Sequence, residues 1–333
     1  MATSLAEIRA KLQAQENRQQ GGQSQGDNAI YAHWNIPEGS SAKIRFLPDA
    51  NTNNSFFWVE RLMIRLPFAG IKGQADSKPV VVQVPCVEMY GDACPILAEV
   101  RTWFKDPGLE EMGRKYWKKK SYLFQGFVRE NPLADDKTSE NPIRRFVISP
   151  QIFNLIKAAL MDPELESMPT DYTAGLDFTV TKTSKGGYAD YSTSKWSRKE
   201  TALTAQEQAA IDSFGLYNLT DFLPKRPGEV ELKVLKEMFE ASVDGQAYDP
   251  DRWSQYYKPS GFQGRGGDDA AESATPAPVT KAAPAPVQSA APFDADEEDD
   301  APVATAPVQA AATKPSSQRA EDILAMIRNR SKQ

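Results

Sequence analysis

Along the chain the apolar positions change period several times, and each change predicts an element. Near the start Leu5, Ile8 and Leu12 recur at helical spacing, and Ser4 stands three residues before Glu7, the pairing in which each side chain caps the other's backbone N–H. A short amphipathic helix is predicted within residues 1–18. The polar, glycine-containing stretch that follows predicts a flexible linker over 19–29. From 30 to 258 the pattern turns to short runs rich in β-branched and aromatic residues, bounded by turn residues: 42–47, 56–66, 80–84, 121–128, 143–148 and 178–183. Helical spacing interrupts them at 151–161 and 230–241. This order predicts an α+β domain built around a small, irregular barrel or sheet.

Past residue 258 the periodicity stops. Residues 259–315 run to Ala, Pro, Ser, Thr and Gln with a dense acidic stretch from Asp294 to Asp300, a composition that buries too little apolar surface to offset the entropy of ordering. A disordered acidic tail is predicted there. Helical spacing returns within 316–333, where Ile323, Leu324 and Ile327 share a side, Glu321 and Asp322 come early, and Arg328 and Arg330 come late, the favourable order for a helix dipole.

Charge bears on what such a chain can bind. The net charge of −6 opposes a nucleic-acid partner at first sight, but residues 259–333 hold 7 Lys/Arg and 11 Asp/Glu, leaving 32 basic and 34 acidic residues in 1–258. The body is near neutral, and its cations cluster. In residues 117–124 a regular strand puts Lys118, Lys120, Tyr122 and Phe124 on one face, with Lys119 between them. Lysines can neutralise phosphates while rings stack on unpaired bases. The same run also fits a lysine-guarded edge strand whose rings belong to the core, with Phe124 the member best suited to the interior. Arg144, Arg145 and Phe146 repeat the basic-aromatic pairing. Lys182, Lys185, Tyr188, Tyr191, Lys195 and Trp196 form a third such segment around a Gly-Gly turn, and three segments point to a groove for single-stranded nucleic acid.

Other chemistry finds less. Cys86 and Cys94 are the two cysteines, and zinc requires four ligands, whereas His33 is the one histidine and lies far upstream. Two buried thiols are the favoured reading, with zinc through carboxylates such as Glu88 or Asp92 as the alternative. No phosphate loop, nucleophile elbow or HExxH pattern occurs, so an enzyme is not expected. No apolar run reaches the roughly 20 residues of a membrane span, so no membrane partner is expected either.

The stretches Lys43-Ile44-Arg45-Phe46-Leu47-Pro48, Gly91-Asp92-Ala93-Cys94-Pro95, Lys118-Lys119-Lys120-Ser121-Tyr122, and Phe178 on through Gly187-Tyr188-Ala189-Asp190-Tyr191 to Trp196 occur in one order. In them the chain resembles the single-stranded DNA-binding proteins of T-even-like tailed bacteriophages, the gene 32 protein type. The resemblance implies an OB-fold-like β-barrel core with a smaller inserted subdomain and a DNA cleft holding Lys118 to Lys120 and Tyr122. It also implies that Phe146, Tyr188, Tyr191 and Tyr90 fall near the DNA. The predicted function is cooperative, sequence-independent coating of exposed strands in phage replication, recombination and repair, in the cytoplasm of the infected host. The N-terminal helix would drive self-association along the strand, and the acidic tail would meet replication and recombination proteins. The family's zinc ligands are incomplete here, with Leu97 at the place of a cysteine, so Cys86 and Cys94 are read as remnants of a zinc site and no cofactor is expected. The alternatives are an RNA-binding translational regulator and a scaffolding protein acting through its terminal helices.

Overall fold

Alternation builds the first two strands: Ala42, Ile44 and Phe46 turn inward from Ser41–Phe46 (β1), and Leu62, Ile64, Leu66 and Phe68 from Val59–Phe68 (β2). The structure is a computed structural model that describes residues 29–74, 76–133 and 140–259. The helices expected within 1–18 and 316–333 lie outside the described residues, as do nearly all of the linker and tail. After β2 come Val80–Pro85 (β3), Pro95–Trp103 (α1), Glu110–Tyr116 (α2), Lys119–Glu130 (β4), Arg144–Ile148 (β5), Pro150–Leu160 (α3) and Phe178–Thr181 (β6). Thr183–Lys185 (β7), Tyr188–Asp190 (β8), Lys195–Trp196 (β9), Ala205–Phe214 (α4), Glu229–Val243 (α5) and Pro250–Trp253 (α6) complete the order. The described residues fall into two compact units, one formed by those up to Glu60 with Ser121–Leu223, the other by Arg61–Lys120 with those from Pro224 onward.

In the first unit the strands run β5-β4-β1-β6-β9, each neighbour antiparallel. Among the described residues no ladder joins β5 to β9, so the sheet stays open where a closed barrel was expected. The architecture is α+β with a mostly antiparallel sheet and, among the described residues, six α-helices. β4 is flanked by both β5 and β1 and is buried from Ser121 to Phe127, so it is an interior strand and not the guarded edge that its lysines also fitted. At Gly126 the approach of β1 is so close that an added Cβ would stand 2.1 Å from the Arg45 carbonyl oxygen, which explains the glycine.

The core of this unit holds Phe46, Phe124, Phe146 and Phe178, all fully buried, with Ile152 and Ile156 of α3 laid over them. Charge is buried beside it. Arg45 is inaccessible, its Nε 3.4 Å from Asp177, and it donates to the Thr201 hydroxyl at 2.7 Å. Arg129 of β4 reaches Asp177 at 2.8 Å and Glu207 at 2.8 Å. Glu207 also closes the capping box of α4, accepting from the Thr204 backbone N–H at 2.8 Å. Gln125, fully buried on β4, donates to the Pro48 and Tyr217 carbonyls and accepts from the Tyr217 N–H, all at 2.8 Å.

The second unit is built differently. β2 and β3 pair antiparallel, Ile64 opposite Val84 and Leu66 opposite Val82, and α1, α2, α5 and α6 supply Leu97, Trp103, Tyr116, Phe239 and Trp253 to one apolar core. Proline at the first turn of α1 suits a position whose N–H has no helical partner. Tyr116 and Ser242 share a buried hydroxyl contact of 3.1 Å. The ion pairs Arg252–Glu237 and Lys236–Glu240 stay at the surface.

Candidate nucleic-acid interface

Of the rings singled out in the sequence, Phe124, Phe146, Tyr122 and Tyr191 are core residues. Phe146 is fully buried between Phe46 and Tyr31. Tyr122 lies face to face with Phe153, centroids 3.5 Å apart. Tyr191 packs against the His33 ring at 5.8 Å, and its N–H donates to Gln151 at 2.9 Å. Arg144 and Arg145 are buried too. Arg144 donates to the Ile30 carbonyl at 3.2 Å beneath Tyr31, while the Arg145 guanidinium sits 3.6 Å from the Phe222 ring centroid. The second basic-aromatic segment is therefore interior, because rings from residues remote in sequence cover both guanidinium groups.

The third segment divides. Thr183 pairs with Asp190 and Lys185 with Tyr188 across a hairpin whose two turn residues, Gly186 and Gly187, have φ of 62° and 85°, a geometry that suits glycine. This sends Lys185 and Tyr188 to the surface together, Tyr188 at 57% exposure, while Tyr191 turns inward as its opposite parity requires. Lys195 is exposed, Trp196 is half-buried against Phe178, and the Lys182 ammonium donates to the Trp34 carbonyl at 2.7 Å. Asp190 fastens the hairpin. It accepts from Ser192 at 2.6 Å and from Gln151 of α3 at 2.8 Å, and these bonds hold its carboxyl below the usual range.

Helix α3 carries a further group that the sequence reading passed over. Two residues beyond Gln151, Phe153 stacks on Tyr122 and meets the edge of Trp58 at 5.3 Å. Trp58 lies 4.7 Å from Phe56, which is 58% exposed. Four rings thus step from the interior of β4 to the surface. Asn54 holds the approach to this ladder, donating to Asp49 at 2.8 Å and to the Trp58 carbonyl at 3.1 Å. Lys157, one helical turn after Phe153, is exposed on α3. The signal was present as Phe56-Phe57-Trp58 following an Asn-rich turn, but it reads as the start of a strand.

Lys118, Lys119 and Lys120 are half-buried at the start of β4. In the second unit the Lys118 ammonium lies 2.8 Å from Glu88, which Arg101 contacts on its other oxygen. Burial opposes the charge on Glu88, and the two cations more than offset it, leaving its carboxyl below the ordinary range. The Tyr90 hydroxyl donates to the Pro224 carbonyl, and burial raises its pKa. Tyr90 therefore meets its own chain at that oxygen.

Cys86 and Cys94 are buried thiols in mutual hydrogen-bond contact. The bond from Cys86 and the backbone N–H groups of Leu97 and Ile96, at the start of α1, draw the Cys94 thiol down. Among the described residues no group of three or more His, Cys, Asp or Glu side chains converges on one point, so these residues do not fit a four-ligand zinc. None of the described helices is long and apolar enough to cross a membrane. No family model matches this chain, and no curated protein matches it in sequence.

Proposed function

We propose that the chain is a non-enzymatic protein that coats single-stranded DNA without sequence preference, as the phage proteins that it resembles do, on a sheet of OB-fold type. The observation that carries this reading is the ring ladder from Tyr122 through Phe153 and Trp58 to the exposed Phe56. A flat apolar ring held outward by rings behind it meets an unpaired base at little entropic cost, since its rotamers are already restrained. A duplex keeps its bases stacked inside and offers no such partner. Lys157, one helical turn after Phe153, supplies charge for the backbone. Lys185 and Tyr188 at the hairpin tip add a second basic-aromatic pair, clamped through Gln151 to the helix that bears Phe153.

In this reading the buried Tyr122, Phe146, Tyr191, Arg144 and Arg145 support the platform, and Phe56, Trp58, Tyr188, Lys185 and Lys195 meet the strand. The test titrates the full chain and its Trp58→Ala and Phe56→Ala variants with a fluorescent oligothymidylate, an RNA of equal length and a duplex. Single strands are expected to bind more than tenfold tighter than duplex, with affinity falling as salt rises. Each alanine is expected to cost about 1–3 kcal/mol of binding. Equal affinity for duplex, or alanine variants that bind as the parent does, would refute the proposal. A preference for the RNA would favour the translational regulator instead.

A further inference from the structure

In the second unit three charged side chains from separate elements meet at one point. Glu88 sits in the tight turn Val87–Tyr90, Arg101 in the last turn of α1, and Lys118 just before β4. One carboxylate oxygen takes the Arg101 guanidinium and the other takes the Lys118 ammonium at 2.8 Å. Beneath them lies Trp117, with the Arg101 Cζ and the Lys118 Nζ each 5.9 Å from its ring centroid. The ring attracts both cations without neutralising either.

Two cations serve one carboxylate at this point, and Asp92 is engaged by Arg226 at 2.7 Å. A brace needs only one of the two cations. The place where a guanidinium and an ammonium converge on two oxygens is also where a phosphodiester would be held, because carboxylate and phosphate accept from the same donors. Arg101 is 48% exposed along its side chain, so its guanidinium is within reach of solvent, while Lys118 at 18% and Glu88 at 17% are more sheltered, Glu88 on a two-methylene arm that a rotamer change would withdraw.

We infer that Arg101 and Lys118 form a phosphodiester-binding pair whose place is taken by the Glu88 carboxylate, an internal competitor for the strand. The inference rests on the proposed binding of single-stranded nucleic acid. It assigns a ligand to Arg101 and makes Glu88 a regulator of affinity.

The experiment measures the affinity of the full chain for a fluorescent oligothymidylate over a series of salt concentrations, for the parent, Glu88→Gln and Arg101→Ala. Glu88→Gln keeps the side chain's shape and removes the competing charge. It is expected to tighten binding about fivefold, corresponding to about 1 kcal/mol for a partly exposed pair. The salt slope should stay that of the parent, because the bound complex holds the same phosphate once Glu88 has withdrawn. Arg101→Ala should weaken binding and flatten the slope by about 0.7. Both substitutions break the same ion pair, so a purely structural brace would move both affinities in one direction. Opposed directions are required here. If the parent binds and Glu88→Gln does not gain, this inference falls and the proposed function stands. If the parent does not bind the oligonucleotide at all, both fall.

Discussion

The two units differ in how much charge they take into a folded interior. The second packs Trp103, Tyr116, Phe239 and Trp253 around β2 and β3 and leaves the ion pairs Arg252–Glu237 and Lys236–Glu240 in water, with Asp249 as the buried charged side chain among its described residues. The first places Arg45, Asp177 and Gln125 inside, with Arg129 and Glu207 at the margin. An apolar core tolerates many arrangements of similar volume, whereas a buried charge accepts only the geometry that pairs it. The unit with the exposed ring ladder is thus the one whose interior leaves least freedom of arrangement, which suits a surface that must hold Phe56 and Trp58 outward.

That contrast can be broken most forcefully at Asp177. Replacing it with Ala leaves the Arg45 guanidinium buried without its carboxylate, and a loss of about 3–5 kcal/mol is expected. Hydrogen exchange in increasing denaturant would report it on β1 and β6 while β2 and β3 keep their protection. Equal loss in both units would show that they do not unfold separately, and the comparison would collapse.

The next effect comes from His33. Its ring is buried against Trp34 and Tyr191, and burial lowers its pKa from 6.5 to about 4. The folded chain keeps this imidazole neutral where the unfolded chain protonates it. Its contribution is therefore complete above pH 6.5 and is lost as the pH falls from 6.5 towards 4. Over that interval about 3 kcal/mol should disappear from this group alone. Thermal melts of the parent and His33→Phe across this range check it, and a variant with the parent's pH slope would refute it. The smallest change should be Arg252→Ala in the second unit, where an exposed pair is worth about 0–1 kcal/mol. A loss of several kcal/mol there, read from urea midpoints, would mean that its surface charges matter as much as the buried ones of the first unit.

Much of this was legible in the chain. The alternation in β1, β2 and β3, the spacing in α3 and α5, and the Gly-Gly hairpin placed those elements within a few residues of where they stand. The helices α1, α2 and α4 were passed over, although Pro95 after Cys94 and the Thr204/Glu207 box both mark helix starts. The candidate site was read less well, for one physical reason. Period-two reasoning assumes a strand with one wet face, and β4 is buried on both over Ser121 to Phe127. Arginine is taken as a surface residue by the same habit, yet Arg145 is roofed by Tyr217 and Phe222, whose arrival from some seventy residues away no local pattern announces.

Gln125 shows what such long-range contacts can do. Its amide offers the Tyr217 peptide one donor and one acceptor, the same pair of complementary groups that an adjoining strand would present. The segment entering at Tyr217, which brings the cover for Arg145, thereby meets β4 through a side chain in place of a ladder, and the Ala50 N–H donates to the same Tyr217 carbonyl at 3.1 Å. A one-atom change there, amide to carboxylate, would remove the donor half of this pairing and set a negative charge against the Pro48 and Tyr217 carbonyls while altering almost no volume.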